Sequence, residues 1–151
     1  MKVLITGGAG YIGSTIASCC QDAGITPVIL DDFSTGLRVF GQRFDCYEGD
    51  IADVPLLERV FADHPDIDAV IHCAAKIVVP ESVEQPLAYY DNNVGKAIAL
   101  LQVLERFGVR RFVLSSTASM YDPGSATMVD ETSPVGPQSP YAASKLSLIH
   151  I

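Results

Sequence analysis

Tyr141 precedes Lys145 by four residues, so on a helix the two side chains share one face. A phenol ionises at about pH 10 and is a poor base at neutral pH. Lowering that value by about three units takes roughly 4 kcal/mol of preference for phenolate. An ammonium about 4 Å away, at an effective dielectric of about 20, supplies about that much. The pair could therefore take the proton of an alcohol. Thr117 ends the run Ser115-Ser116-Thr117 behind an apolar stretch, where its hydroxyl could hold the reacting alcohol or share its proton.

The other end of the chain offers a partner for that chemistry. Gly7-Gly8-Ala9-Gly10-Tyr11-Ile12-Gly13 follows the apolar run Val3-Leu4-Ile5. A buried strand that runs into glycines and then a helix lets the main chain approach a pyrophosphate and aims helix N–H groups at its charge. Gly7, Gly10 and Gly13 form one frame, while Gly8, Gly10 and Gly13 form the more familiar G-x-G-x-x-G; spacing alone does not choose between them. Val28-Ile29-Leu30 ends in Asp31, eighteen residues past Gly13, which suits an acid for an adenosine ribose. The expected cofactor is NAD rather than NADP, since a carboxylate accepts from a 2′-hydroxyl and repels a 2′-phosphate. A positively charged nicotinamide would add to the effect of Lys145 on Tyr141.

Composition narrows the class. The chain has 151 residues, 48% of them hydrophobic and 19% charged, enough for one good core without repeats or low complexity. One domain over residues 1–151 is expected. The net charge of −8 opposes nucleic acid, and beyond Arg110-Arg111 no basic cluster offsets it. An anionic cofactor must therefore be held by local dipoles. No apolar run approaches the ~20 residues of a membrane span, and the N-terminus reads as a core strand, so a cytoplasmic location is expected. Cys19, Cys20, Cys46 and Cys73 lack C-x-x-C spacing and read as small buried hydrophobes. No metal site is expected, because His64, His72 and His150 also lack ligand spacing.

Strands and helices alternate along the chain. A helix over Tyr11 to Ala23 is expected to close at Gly24. A strand near Phe44 to Glu48 leads to Gly49-Asp50-Ile51. Asp53 can cap a helix that carries Leu56, Leu57, Val60 and Phe61 inward and stops before Pro65. A strand over Ala69 to Cys73, a long helix from Leu87 to Phe107 closed by Gly108, and a strand over Arg111 to Ser115 follow. Ser116 to Pro140 reads as a loop along the active-site edge, and Pro140-Tyr141 opens another helix. The pattern gives an α/β fold, a Rossmann-like doubly wound parallel sheet of order 3-2-1-4-5. Ligands of such sheets sit beyond the carboxyl ends of the strands. Gly7 to Gly13, Asp31, Asp50, Ala74-Ala75 and Ser115 to Thr117 all fall there.

Several stretches resemble the UDP-glucose 4-epimerase family of extended short-chain dehydrogenases: Thr6 to Gly13, Gly49-Asp50-Ile51, Val70-Ile71-His72, Pro80-Glu81-Ser82-Val83, Pro86-Leu87 with Tyr89 to Val94, Ser115-Ser116-Thr117, and Ser139-Pro140-Tyr141 with Ser144-Lys145. The glycine loop and the Tyr/Lys pair are shared widely, whereas the Glu81-Ser82-Val83 to Asn92-Asn93-Val94 block is particular to this family. The resemblance implies tightly held NAD. Gly7, Gly10, Tyr11 and Ile12 would cradle the pyrophosphate, Asp31 would bind the adenosine ribose, and Asp50 with Ile51 would meet the adenine. Ala74, Ala75, Asn92 and Ser115 would line the rest of the groove, and Lys145 would bind the nicotinamide ribose. Tyr141 would take the 4-hydroxyl proton of a UDP-sugar as hydride leaves C4, with Thr117 bonded to that hydroxyl. A homodimer through the Leu87 to Phe107 helix and the Tyr141 helix is implied too.

The sequence departs from the family's pattern in three places. Ile77 stands where many members carry a lysine, with Lys76 one place early. Asp122 replaces a glycine after Tyr121. Past Lys145-Leu146 the chain ends Ser147 to Ile151, before the family's sugar-nucleotide domain, so Leu148, Ile149 and Ile151 are expected to stand uncovered and the 151 residues to be inactive alone. Ala118-Ser119 stands where a sugar-nucleotide 4,6-dehydratase would show Asp-Glu. The alternatives left open are 4-epimerisation of a UDP-pentose or UDP-uronic acid and non-catalytic NAD binding.

Overall fold

The computed structural model describes residues 1–124 and 128–151; the remaining three lie within the loop expected from Ser116 to Pro140 and outside the described residues. The chain divides into two compact units, Met1–Ala74 with Ile98–Ser115, and Ala75–Ala97 with Ser116–Ile151.

The first unit carries a five-stranded parallel sheet: β1 (Lys2–Thr6), β2 (Thr26–Asp31), β3 (Asp45–Glu48), β4 (Ile67–His72) and β5 (Arg111–Leu114). The order is β3-β2-β1-β4-β5, as the alternation of elements predicts. Alternate residues of each central strand feed opposite faces. Leu4, Val28, Leu30 and Val70 join Leu56, Leu57, Val60 and Phe61 of α3 (Val54–Asp63) and Leu100, Val103 and Leu104 of α6 (Lys96–Arg106). Val3, Ile5, Ile29 and Ala69 pack with Ala17 of α1 (Tyr11–Asp22) on the other face. This double coverage explains why the strands read as apolar runs.

The helix ends follow local chemistry. Asp53 accepts the N–H of Leu56 and so caps α3. Gly24 and Gly108, at φ +73° and +71°, close α1 and α6 in the left-handed region. A one-turn helix, α2 (Arg38–Gly41), lies between β2 and β3, where the sequence predicts only a polar turn.

The second unit holds α4 (Val79–Glu84), α5 (Pro86–Tyr90), a 3-10 turn (Ala118–Met120) and α7 (Pro140–His150), whose N-cap Ser139 accepts the N–H of Ala142. The single helix expected from Leu87 to Phe107 is instead α5, a π-turn over Asp91–Gly95, and α6. Adding a residue per turn rotates every following side chain, and such turns recur at functional sites. α7 packs on α4, α5, the π-turn and the 3-10 turn.

Candidate active site

In the first unit the glycine loop is anchored at its start. The Gly7 N–H donates to the Leu30 carbonyl at 2.8 Å, and the Cys73 N–H donates to the Thr6 carbonyl at 2.9 Å. Gly7 sits at φ +69°, and a Cβ there would lie 2.6 Å from the Ala74 nitrogen. A Cβ on Gly13 would lie 2.2 Å from the Gly7 carbonyl oxygen, so both positions exclude any side chain. Both frames therefore contain sterically required glycines: Gly8 packs on Ile29, while Gly10 serves as N-cap of α1 without a side-chain cap.

The first turn of α1 contains no acidic residue. Tyr11 and Ile12 are 85% and 55% exposed, so their side chains turn outward and their main chain is left to serve the loop. Helix N-terminal amides of this kind favour an anion, by hydrogen bonding and by the helix dipole.

Asp31 is buried at the end of β2. Its Oδ2 accepts the Ala9 N–H at 2.9 Å and its Oδ1 accepts the Phe33 N–H at 2.8 Å. A carboxylate offers about four lone-pair sites, so these two bonds leave capacity for ribose hydroxyls. Asp50 accepts the Ala52 N–H at 2.8 Å and turns the chain into α3. Ile51 is buried in the core cluster beneath α3. Ala74 follows β4, and Ser115, after β5, donates its N–H to the His72 carbonyl.

The second unit holds Ala75, Asn92, Thr117, Tyr141 and Lys145. Tyr141 and Lys145 lie one turn apart on α7, the lysine only 2% exposed. Lysines are almost never buried to this degree unless paired, so an ammonium held there has a specific environment. The Tyr141 ring meets the edge of Tyr89 at a centroid distance of 6.5 Å and an interplanar angle of 83°. Tyr89 is fully buried; its hydroxyl accepts the Val78 N–H and lies 2.7 Å from both the Val78 carbonyl and Glu81 Oε2. Burial, followed by the hydrogen bond to Glu81, pushes the Tyr89 phenol up to about 12.

Asn93, in the π-turn, joins three segments. Its Oδ1 accepts the Lys76 N–H at 2.8 Å, and its Nδ2 donates to the Lys76 carbonyl and to Ser144 Oγ, each at 3.0 Å. Ser144 Oγ donates onward to the Tyr141 carbonyl at 2.7 Å. Asn93 therefore fixes the helix that carries Tyr141 and Lys145, although the sequence reading gave a role only to its neighbour Asn92. Asn92 Nδ2 donates to Asn93 Oδ1 at 3.1 Å. Two adjacent asparagines look alike in sequence; only the turn decides which is buried.

Thr117 caps the 3-10 turn, accepting the Ser119 N–H, and its Oγ1 lies 2.7 Å from Ser119 Oγ. Lys76 pairs with Glu81 at 3.5 Å and lies over the Tyr89 ring, which gives the displaced lysine a structural partner. Asp122 keeps an ordinary φ and accepts the Gly124 N–H; the positive φ falls on Gly124, so the departure from glycine is accommodated. None of the four cysteines is buried as expected: Cys19, on the outer face of α1, is exposed, and Cys20, Cys46 and Cys73 are half-buried; all four are free. Among the described residues no cluster could hold a metal ion, and no helix is long and apolar enough to cross a membrane.

A parallel doubly wound sheet with a glycine-tight first turn and an acid ending β2 defines a dinucleotide-binding protein of the α/β class. The profile of the NAD dependent epimerase/dehydratase family matches residues 3–151, and the chain belongs to that family. It is 47% identical over 146 residues to a UDP-glucose 4-epimerase of Azospirillum brasilense, covering 96% of this chain and 42% of the relative. A UDP-glucose 4-epimerase of Streptomyces lividans is 44% identical, covering 99% of this chain and 46% of its own length. A crystal structure of UDP-glucose 4-epimerase from Brucella ovis in complex with NAD superposes with a TM-score of 0.92 at 37% identity, over 99% of this chain and 46% of that one. The chain thus spans about half the length of the relatives it matches.

Proposed function

We propose that this chain supplies the cofactor-binding and proton-transfer residues of an NAD-dependent 4-epimerase acting on a UDP-hexose, UDP-galactose or UDP-glucose. The residues present fit the cofactor: a helix N-terminus free of acids, glycines that admit no Cβ, and a buried carboxylate with lone pairs to spare. Gly7, Gly10, Tyr11, Ile12 and Gly13 hold the pyrophosphate. Asp31 accepts from the adenosine ribose, and Asp50 and Ile51 meet the adenine. Ala74, Ala75, Asn92 and Ser115 line the remainder. When bound, the nicotinamide would supply the hydride acceptor, and then the donor, for the sugar C4. Tyr141 takes the proton of the 4-hydroxyl through its phenolic oxygen and gives it back. Lys145 favours the phenolate by its charge and donates to the nicotinamide ribose. Thr117 Oγ1 positions the 4-hydroxyl, with Ser119 within hydrogen-bond reach behind it.

The observation that carries this reading is the burial of Lys145 one turn past Tyr141, on a helix whose first turns are pinned through Ser144 and Asn93. A surface Tyr/Lys pair would need neither. Sugar recognition is assigned to the part of the relatives that this chain does not span. The helices around the π-turn and α7 are proposed as the face of a homodimer, and a cytoplasmic location fits four free cysteines. The test is a chimera in which these 151 residues replace the matched stretch of the Azospirillum brasilense relative. UDP-galactose conversion supports the reading; a folded, NAD-binding chimera without turnover supports non-catalytic NAD binding instead.

A further inference from the structure

The segment that follows Asp31 runs against the glycine loop. Leu37 donates its N–H to the Ala9 carbonyl at 3.0 Å, and a Cβ on Gly36 would lie 2.6 Å from Asp31 Oδ1. Phe33, whose N–H is held by Asp31, takes a φ of +55°, the only non-glycine residue with positive φ among those described. This strained backbone turns the Phe33 ring beneath the guanidinium of Arg38, 4.6 Å from its centroid. Arg38 is the first cation after Asp31 in the sequence. Its Nη1 and Nη2 donate to Glu48 Oε2 and Oε1 at 2.7 and 2.6 Å.

That bidentate pair is exposed, with Arg38 and Glu48 at 61% and 56% side-chain exposure, and pairs of this kind add little to stability. Its geometry nonetheless occupies the guanidinium fork, the part of an arginine that grips phosphate. An arginine beside the β2 acid is the group that accommodates a 2′-phosphate where dinucleotide-binding folds accept one.

We propose that Glu48 is a positioning residue for cofactor specificity, holding Arg38 away from a ribose 2′-phosphate and so favouring NAD over NADP alongside Asp31. The inference rests on the reading that Asp31 faces the adenosine ribose. Discrimination then has two layers: a carboxylate that repels the phosphate, and a second carboxylate that keeps Arg38 occupied.

The test is calorimetric titration of NAD and NADP into the 151-residue chain and its Glu48→Ala, Arg38→Ala and double variants, with Glu58→Ala as a control that removes a carboxylate elsewhere. Glu48→Ala should leave NAD affinity within about threefold and tighten NADP by about tenfold. The gain should shrink at about 0.5 M salt and vanish when Arg38 is also removed. Glu58→Ala should not reproduce it. NAD binding unchanged with NADP unmoved in Glu48→Ala overturns this inference alone, as does a gain that survives Arg38→Ala. Failure of the folded parent chain to bind NAD overturns the cofactor reading and this inference with it.

Discussion

Asp31 Oδ2 accepts the backbone N–H of Ala9 at 2.9 Å, so the acid that ends β2 also ties that strand to the glycine loop. One carboxylate thus has a structural task beside the binding task proposed for it. Asp31→Ala leaves the N–H groups of Ala9 and Phe33 without their acceptor, and should cost about 1–3 kcal/mol of stability as well as NAD affinity. Urea unfolding alongside calorimetry checks both. A variant with parent stability and unchanged NAD affinity would show that Asp31 serves neither task.

On the proposed reading the same carboxylate also sets the choice of cofactor. At about 4 Å a unit charge on a 2′-phosphate meets a penalty of about 1 to 4 kcal/mol, so NAD should bind from about fivefold to about a thousandfold more tightly than NADP. Equal or tighter NADP binding by titration overturns the assignment.

The sheet was legible because its strands are buried on both faces and separated by helices with clear caps: Asp53, Gly24 and Gly108 each act as their residue types predict. The π-turn was not, since one extra residue per turn over Asp91–Gly95 leaves the apolar spacing on either side nearly intact. Nor was the short α4, which interrupts a Pro-containing stretch read only as motif. Tyr141, Lys145 and Thr117 stood out by type and spacing, but the residues that hold the helix of Tyr141 and Lys145, namely Asn93, Ser144 and Tyr89, are defined by three-dimensional contacts between distant segments. Leu148 shows the same limit: expected uncovered, it is buried in the second unit, while Ile149 and Ile151 are exposed.

Two tyrosines should make the protein sensitive to alkali. Burial, aided by hydrogen bonds to Asp63 and Glu81, pushes the Tyr47 and Tyr89 phenols from 10.0 up to about 12. The folded state binds these protons more tightly than the unfolded state. Their contribution to stability is therefore complete below about pH 10 and is lost as pH rises towards 12. Denaturant midpoints should fall across that window, and less steeply in Tyr89→Phe. A midpoint independent of pH from 10 to 12 would contradict the assignment.

The 151 residues alone should show little or no epimerase activity even when they bind NAD, because they match only 42–46% of the relatives' length. A coupled UDP-galactose to UDP-glucose assay with added NAD reads this directly. Turnover of about 1 s⁻¹ or faster, within the usual enzyme range, would contradict it.

If Tyr141 is the base of a 4-epimerase, its role is read most directly by comparing kcat of the chimera with and without Tyr141→Phe under saturating NAD and UDP-galactose. Only the phenolic oxygen is removed, so NAD affinity should be retained while kcat falls by about 10² to 10⁴. Near-parental turnover in the Phe variant would contradict the account and transfer the proton to another group, with Thr117 the first to be substituted.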